Sequence, residues 1–394
     1  MNYILFDDQC RNNLLPFIFI RPVADLRIGI LTIREKWEHY LQSKTSTLTE
    51  PYLSKKFPIV KGEINILINA SILPDSNLVE EVVKLEKNQI LASDETIIAM
   101  ALSFKDLKKL NLDNNSMSES ISYNNNFIKI NNLWDLFVNN DTALREDFKI
   151  LTQNKKSRPL SKTNTLIGNE IFIEKGAKIE CAVLNSSTGP IYIGKDAEIM
   201  EGSMLRGPFA LCNNAQLKMG SKIYGATTIG PFSKVGGEIS NSLIFGYSNK
   251  SHEGFLGNSV IGEWCNIGAD SNNSNLKNNY EEVKLWNYAT RRFEQTGLQF
   301  CGLFMGDHSK CGINTMFNTG TVVGISASIF GAGFQRNFIP SFSWGGSAGF
   351  TTYDINKAIN VSQRVYARRN IKLTEIDEEI LRHIHNLTLE FRYI

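Results

Sequence analysis

From residue 193 onward an aliphatic side chain returns at every sixth position: Ile193, Ile199, Leu205, Leu211, Leu217, Ile223, Ile229 and Val235. With about a quarter of positions aliphatic by chance, eight successive hits arise on the order of once in ten thousand after allowing for phase. Four residues after most hits the side chain is small (Ala197, Ser203, Ala215, Ser221, Thr227, Ser233), with Phe209 the exception. The same beat runs earlier through Ile167, Ile173 and Ile179. It runs later through Met305, Cys311, Phe317, Val323 and Ile329, where Gly306, Gly312 and Gly324 each follow a hit. A period of six is not helical, but it is three times the strand period. It predicts a triangular coil of three hexads, with one apolar residue per hexad pointing inward and a small residue at each tight corner. Successive coils then stack as parallel strands about 4.8 Å apart. Period alone does not set the hand, and ordinary parallel crossovers are right-handed.

The beat shifts phase after Val235, across "GGEISNSLIFGYSNKS", and resumes at Ile261 and Ile267. It breaks again across 272–300. Insertions in a solenoid become loops on one face, often the binding face. His252 sits inside the first break.

Residues 1–150 lack the six-beat. There "YILFDD" (3–8) and "INILINA" (64–70) predict strands, while "NLVEEVVKLEKN" (77–88) and "DETIIAMALSF" (94–104, opening at Asp94) predict helices. Strands interleaved with helices imply a three-layer α/β domain. The stretch 111–126 is a polar low-complexity loop, and 152–165, basic with a proline, is the expected linker. Two helices are predicted at 354–370 and 374–391, the second opened by a capping box of Thr374 and Asp377. They would cover the open solenoid edge, which otherwise invites aggregation. The expected organisation is a first domain over 1–151, the linker over 152–165, the solenoid over 166–350 and a helical segment over 351–394.

Composition narrows the classes. The 394 residues hold 42 basic and 40 acidic side chains, and 42% are hydrophobic. This near-neutral balance gives no footprint for nucleic acid or a membrane surface. The six cysteines form no C-x-x-C pair, which suits reduced thiols in a cytoplasmic protein. "MNYILFDDQC" turns acidic at once, so no signal peptide is expected. No apolar run approaches the roughly 18 residues of a membrane span.

The hexapeptide array resembles the left-handed β-helix acyltransferases, and most closely the acetyltransferase half of the GlmU-like bifunctional family. The resemblance covers roughly residues 165–335. "LRGP" (205–208) is similar to that family's L-R-P-G and places Arg206 at its phosphate-binding arginine. "NKSHEGFLG" (249–257) is similar to S-K-A-G-H-L-T-Y-L-G and places His252 at the catalytic base. "CNIGADSNNSNL" (265–276) places Asn266 and Asn275 at two substrate-contacting asparagines. Phe255, Asn241 and Ile313 stand where the family has tyrosine, lysine and serine, which bears on the acceptor sugar more than on the reaction type. "RPVADLRIGILTIREKW" (21–37) resembles a divergent sugar-nucleotidyltransferase group, with Arg21, Arg27 and Lys36 as candidate nucleotide-phosphate contacts. The glycine-rich G-x-G-T-R loop of the main family is absent.

The fold implied is an N-terminal α/β nucleotidyltransferase-like domain followed by a left-handed parallel β-helix with short C-terminal helices. The activity implied is acetylation of glucosamine-1-phosphate by acetyl-CoA, then uridylyl transfer from UTP with Mg²⁺ to give UDP-N-acetylglucosamine. A homotrimer taking only small-molecule substrates is expected, with no nucleic acid or membrane partner. Two alternatives stand beside it: an acyltransferase with an inert or regulatory first domain, and a non-catalytic sugar-nucleotide-binding scaffold. His252 itself is either a general base, for which histidine is suited near neutral pH, or a solvated turn residue. His308 reads as an exposed corner or a metal ligand. With only His252 and His308 in the solenoid, a three-histidine zinc site is disfavoured, and the sequence names no other metal ligands. Cys311, on the inward beat, reads as core. Arg368 and Arg369 read as helix-end charge or as contacts for coenzyme A phosphates.

Overall fold

A computed structural model describes residues 1–107 and 119–393. The first half of the expected polar loop at 111–126, residues 111–118, lies outside the described residues. The chain divides into two compact units: Met1–Leu14, Ile20–Leu26 and Leu31–Asn132 form the first, and Leu15–Phe19, Arg27–Ile30 and Leu133–Ile394 form the second.

The first unit is an α/β fold on one mixed sheet. Its strand order is Thr45–Leu48, Asn2–Phe6, Ile64–Asn69, Thr96–Ser103, Gln89–Ser93 and Glu119–Ser122. Asn2–Phe6 runs parallel to both of its neighbours. Ile4, Phe6, Leu67, Met100 and Leu102 share one buried cluster, as alternation along pleated strands requires. Helix Ser76–Val83 forms where expected, with Asp75 as its N-cap. Helix Ile33–Leu41 opens on a capping box of Thr32 and Glu35.

The helix expected over 94–104 is instead the strand Thr96–Ser103. Asp94, read as an N-cap, sits at φ 49° and turns the chain between Ser93 and Thr96, which pair across a hairpin. Residues 98–101 are fully buried because the strand has partners on both sides. A short run that is apolar throughout suits a buried strand or a buried helix equally, and here the turn decided it. Glu119–Ser122, inside the expected loop, is a strand paired parallel to Gln89–Ser93.

The second unit is a three-faced parallel β-solenoid, with sheets of six, nine and ten strands. The hexad residues stack in columns: Ile199 lies beside Leu217, and Leu217 beside Val235. They form one continuous core from Ile173 to Ile339. The small residues Ala197, Ser203, Ala215, Ser221, Thr227 and Ser233 are all fully buried, since nothing larger fits inside a tight corner. Non-glycine residues with positive φ recur at one corner, among them Asp196, Asn214, Phe232, Tyr247, Trp264 and His308.

The first phase break is a contraction and not an inserted loop. Leu217 pairs with Val235, 18 residues on, whereas Val235 pairs with Lys250, only 15 on. The chain stays in the coil throughout, through strands Glu238–Ser240, Leu243–Gly246 and Asn249–Lys250. The second break is a true excursion. Ile261 pairs with Met305, and the intervening chain carries the antiparallel hairpin Lys284–Asn287 with Arg292–Gln295.

Helix Asn140–Thr152 packs Leu144, Phe148 and Leu151 on the outer side of the nine-stranded face, against Phe172, Tyr192 and Ala210. Within this unit buried polar groups pin residues 27–30: Gly29 N donates to Asn140 Oδ1 at 2.8 Å and Ile30 N to Asp147 Oδ2 at 2.7 Å. Helices Ile355–Ala367 and Glu375–Leu387 form as expected, the second with its Thr374–Asp377 capping box. The last coil strand, Ser343–Gly346, is met by the antiparallel strand Gly349–Thr352. The first of the two helices runs along a corner, where its Tyr366 ring stacks on Trp264 with centroids 4.0 Å apart. That ring continues a stack through Tyr247 and Phe232.

Candidate functional site

His252 is exposed, on a turn between strands Asn249–Lys250 and Phe255–Gly257. The backbone of that turn is tightly held although its side chain is free to meet solvent. A Cβ on Gly236 would lie 2.6 Å from Ser251 O, and one on Gly237 (φ 78°) would lie 2.9 Å from His252 O. A Cβ on Gly254, at φ 121°, would come closer still to Ser271 O of the next coil. Only glycine lets the neighbouring corners approach this near. Inside the turn, Lys250 Nζ donates to His252 O at 2.8 Å and to Gly236 O at 3.1 Å.

Arg206 is exposed at the end of strand Met204–Arg206, on the six-stranded face. It lines a groove of about 740 Å³ together with Asn185, Lys222, Tyr224, Glu238 and Asn241. Tyr224 donates its hydroxyl to Glu238, and that hydrogen bond, then burial, pushes the phenol up to about 12. Asn241 closes the corner through its Oδ1, which accepts from Ala226 N. Lys222 joins the groove to the histidine turn, because its Nζ lies 3.4 Å from Glu253, the residue after His252.

The other expected positions lie elsewhere on the coil. Asn266 is exposed on the ten-stranded face, paired in register with Asn249. Asn275 sits beyond Asn272–Asn273 and donates from Nδ2 to Asn258 Oδ1 at 2.9 Å. Arg206 thus shares a groove with residues that lead to His252, while Asn266 and Asn275 lie outside that groove. His308 is a corner but not an exposed one. It is 4% exposed and faces Tyr366 at 5.9 Å, with Ser362 Oγ 3.4 Å from its Nδ1. Cys311 is buried, as its beat position requires. Arg369 Nη2 reaches Asn249 Oδ1 at 3.5 Å. Burial and the neighbouring Arg368 hold its guanidinium below the usual range. Phe255 is half-buried and Ile313 is exposed.

In the first unit a groove of about 970 Å³ opens at the C-terminal ends of the parallel strands Asn2–Phe6, Thr45–Leu48 and Ile64–Asn69. Open α/β sheets bind their ligands at this end. Among its lining residues are Asp7, Asp8, Arg11, Thr49, Glu50 and Lys129. Asp7 accepts from Arg11 Nε at 3.2 Å and from Val23 N at 2.9 Å. Burial nevertheless raises its carboxyl above the usual range, against the pull of Arg11. Asp8 is also subject to burial, but bonds from Cys10, Lys129 and Asn69 bring it below the usual range. Its carboxylate lies 2.9 Å from Lys129 Nζ. Burial and the adjacent Asp8 push the Cys10 thiol far up, which removes it as a nucleophile.

Arg21 and Lys36 are buried in the first unit, at 5% and 4% exposure, and neither lines this groove. Arg27 belongs to the second unit, where its guanidinium donates to Phe245 O at 3.2 Å and to Ile30 O. Sequence reasoning passed over Asp7, Asp8, Arg11 and Lys129. The signal for the first three was charge packed directly behind the strand "YILF", where a parallel strand delivers its next residues to the sheet's binding edge. Among the described residues no group of three or more His, Cys, Asp or Glu side chains could hold a metal ion. Asp7 and Asp8 are already engaged by cations, amides and a hydroxyl, so this pair does not fit a resident Mg²⁺.

Residues 3–156 match the family model described as sugar nucleotidyl transferase. Over 274 residues the chain is 27% identical to the bifunctional sugar-1-phosphate nucleotidylyltransferase/acetyltransferase of Sulfurisphaera tokodaii, covering 68% of this chain and 62% of that protein's length. Over 87 residues it is 34% identical to the bifunctional protein GlmU of Methanocaldococcus jannaschii, covering 22% of this chain and 21% of that one. The chain thus spans less than two thirds of the length of these relatives. Among solved structures it is similar to the Arabidopsis UDP-N-acetylglucosamine acyltransferase, at 13% identity and a TM-score of 0.25, over 52% of this chain and 77% of that one. A superposition that loose assigns no residue. Residues 3–156 are thus similar to sugar nucleotidyl transferases and are followed by a hexapeptide-repeat β-solenoid, and the chain is similar in sequence to the GlmU-like bifunctional proteins.

Proposed function

We propose that the protein acetylates glucosamine-1-phosphate with acetyl-CoA and then transfers a uridylyl group from UTP to the product, giving UDP-N-acetylglucosamine. The observation that carries this reading is Lys222, which lines the Arg206 groove and pairs with Glu253 beside the exposed His252. In this reading Arg206 holds the phosphate by charge-assisted hydrogen bonds, and the amino group of the sugar meets the histidine turn. His252 takes a proton from the sugar ammonium, and the freed amine attacks the thioester carbonyl. The carbon–sulfur bond breaks, coenzyme A leaves as the thiol, and the amide forms with net release of one proton. Asn266 and Asn275 are the proposed acceptor contacts. Asn266 sits on the ten-stranded face, away from the Arg206 groove, as a site completed by a neighbouring subunit would need.

That placement supports a homotrimer, because a triangular solenoid presents flat faces and corners that close about a threefold axis. Light scattering is expected to give about three times the 44.3 kDa chain mass. A monomer at micromolar concentration would leave the site divided and overturn this part of the reading.

For the first unit, the groove at the strand ends is the proposed nucleotide site, with Arg11 and Lys129 as its cations. Mg²⁺ enters with the triphosphate as substrate. Arg21 and Lys36 act behind that site in this reading, and Arg27 holds the chain against the solenoid strand that ends at Gly246. The test is one incubation with acetyl-CoA, UTP, Mg²⁺ and glucosamine-1-phosphate, with every product resolved by mass. Both the acetylated phosphosugar and its uridylylated product are expected. If only the first accumulates, the second activity is lost and the protein is an acetyltransferase alone.

Arg206→Ala is expected to raise KM for the phosphosugar about 10- to 100-fold with kcat nearly unchanged. A phosphate contact is present in ground and transition states alike. Steady-state kinetics with varied phosphosugar would show the split.

A further inference from the structure

Lys250 occupies a position where a cation does not belong. Its column on the ten-stranded face reads Ile199, Leu217 and Val235 before it, and Ile267, Cys311 and Ile329 after it. The side chain is 3% exposed. An ammonium in an apolar column loses its hydration, and a leucine or isoleucine there would fill the space without that cost. Burial accordingly pulls Lys250 down to about 8, and only in part do Glu253, Cys311 and Asp270 oppose this, with Lys222 adding to it.

Its hydrogen bonds go to main-chain oxygens, Gly236 O at 3.1 Å and His252 O at 2.8 Å. These carbonyls belong to the same corner of two successive coils, and they turn inward where the coil has contracted to 15 residues. Earlier turns of this corner close without a cation. There the hydroxyls of Ser203 and Ser221 donate to Lys218 O. The lysine is used at the turn that carries the exposed histidine.

The geometry points to Lys250 as a positioning residue for acetyl transfer, one that holds the 251–254 turn from inside the solenoid and so aims the His252 imidazole. This rests on the reading of His252 as the base. The lysine touches no substrate. It fixes the carbonyl of His252 while Gly236 and Gly237 support the turn from the coil before, leaving the histidine Cα–Cβ direction little freedom. Misplacing a reacting group by about 1 Å costs on the order of 100-fold in rate.

The experiment compares four full-length proteins: wild type, His252→Ala, Lys250→Met and Lys250→Arg. Thermal unfolding and steady-state acetyl transfer are measured on each. Methionine has similar length and flexibility and no charge, so Lys250→Met is expected to unfold at the same or a higher temperature than wild type. Its kcat is expected to fall about 10- to 100-fold, with KM for phosphosugar and acetyl-CoA unchanged. Lys250→Arg restores a donor to the two carbonyls and is expected to recover part of that kcat. A lysine needed only for folding would give the opposite pattern, with Lys250→Met melting earlier, and that result overturns the inference. So does a Lys250→Met protein with full kcat, or a Lys250→Arg protein as slow as Lys250→Met. Full turnover in His252→Ala, or no acetyl transfer by wild type, removes the base reading itself and is distinguishable from all of these.

Discussion

Replacing His252 by alanine is expected to lower kcat for acetyl transfer by on the order of 10²–10⁴, the usual contribution of a positioned general base. KM should change little, since in the proposed site the imidazole acts on a proton and the phosphate contact is assigned to Arg206, on strand Met204–Arg206. Folding should survive, because His252 is exposed and lies outside the inward columns. Circular dichroism and thermal unfolding on the variant would establish this before kinetics are compared. Turnover near the wild-type level would make His252 a polar corner, and the Arg206 groove would then need another base. Tyr224 is a poor replacement, since Glu238 accepts its proton in a hydrogen bond and the phenol is held at about 12.

The second large effect concerns the solenoid. Leu217→Ala is expected to destabilise the second unit by about 2–5 kcal/mol, the range for removing a fully buried leucine side chain and leaving a cavity. Leu217 is fully buried between Ile199 and Val235, in a stack whose ladder hydrogen bonds resist collapse around a void. Each coil of a solenoid depends on its neighbours, so the loss should spread to the coils carrying Arg206 and His252. Chemical denaturation followed by tryptophan fluorescence would read it, because Trp264 and Trp286 both lie in this unit. A loss below about 1 kcal/mol would mean that the columns do not close-pack as the ladder registers imply.

Much of the second unit was legible because its rule is local and repeated. Each hexad states again which residue points inward, and Ala197, Ser203 and Ser233 mark the corners without reference to anything distant. The helices at Ile355–Ala367 and Glu375–Leu387 were legible for a similar reason, since caps and periodicity lie within one segment. The exposed turn at His252 could be read from its small neighbours. Whether that turn was an insertion could not, because a contracted coil and an inserted loop break the same beat.

The first unit was less legible. "TIIAMALS" is apolar throughout, so its state depended on having strand partners on both sides, which the local sequence does not reveal. Arg21, Arg27 and Lys36 form a basic series along the chain, but folding buries two of them in one unit and assigns the third to the other.

By itself the sequence determined the stacked three-hexad coil, the identity of its inward columns before the phase shift, and the histidine's place on a solvated turn. These follow from a period that side-chain burial must obey at every repeat. Tertiary structure alone decided that Val235 pairs with Lys250, that this lysine enters an apolar column to hold the His252 carbonyl, and that Asp7 and Asp8 meet Lys129 and Arg11 at the sheet's edge. Those facts depend on register between segments, and register is set by what the whole fold can bury and pair.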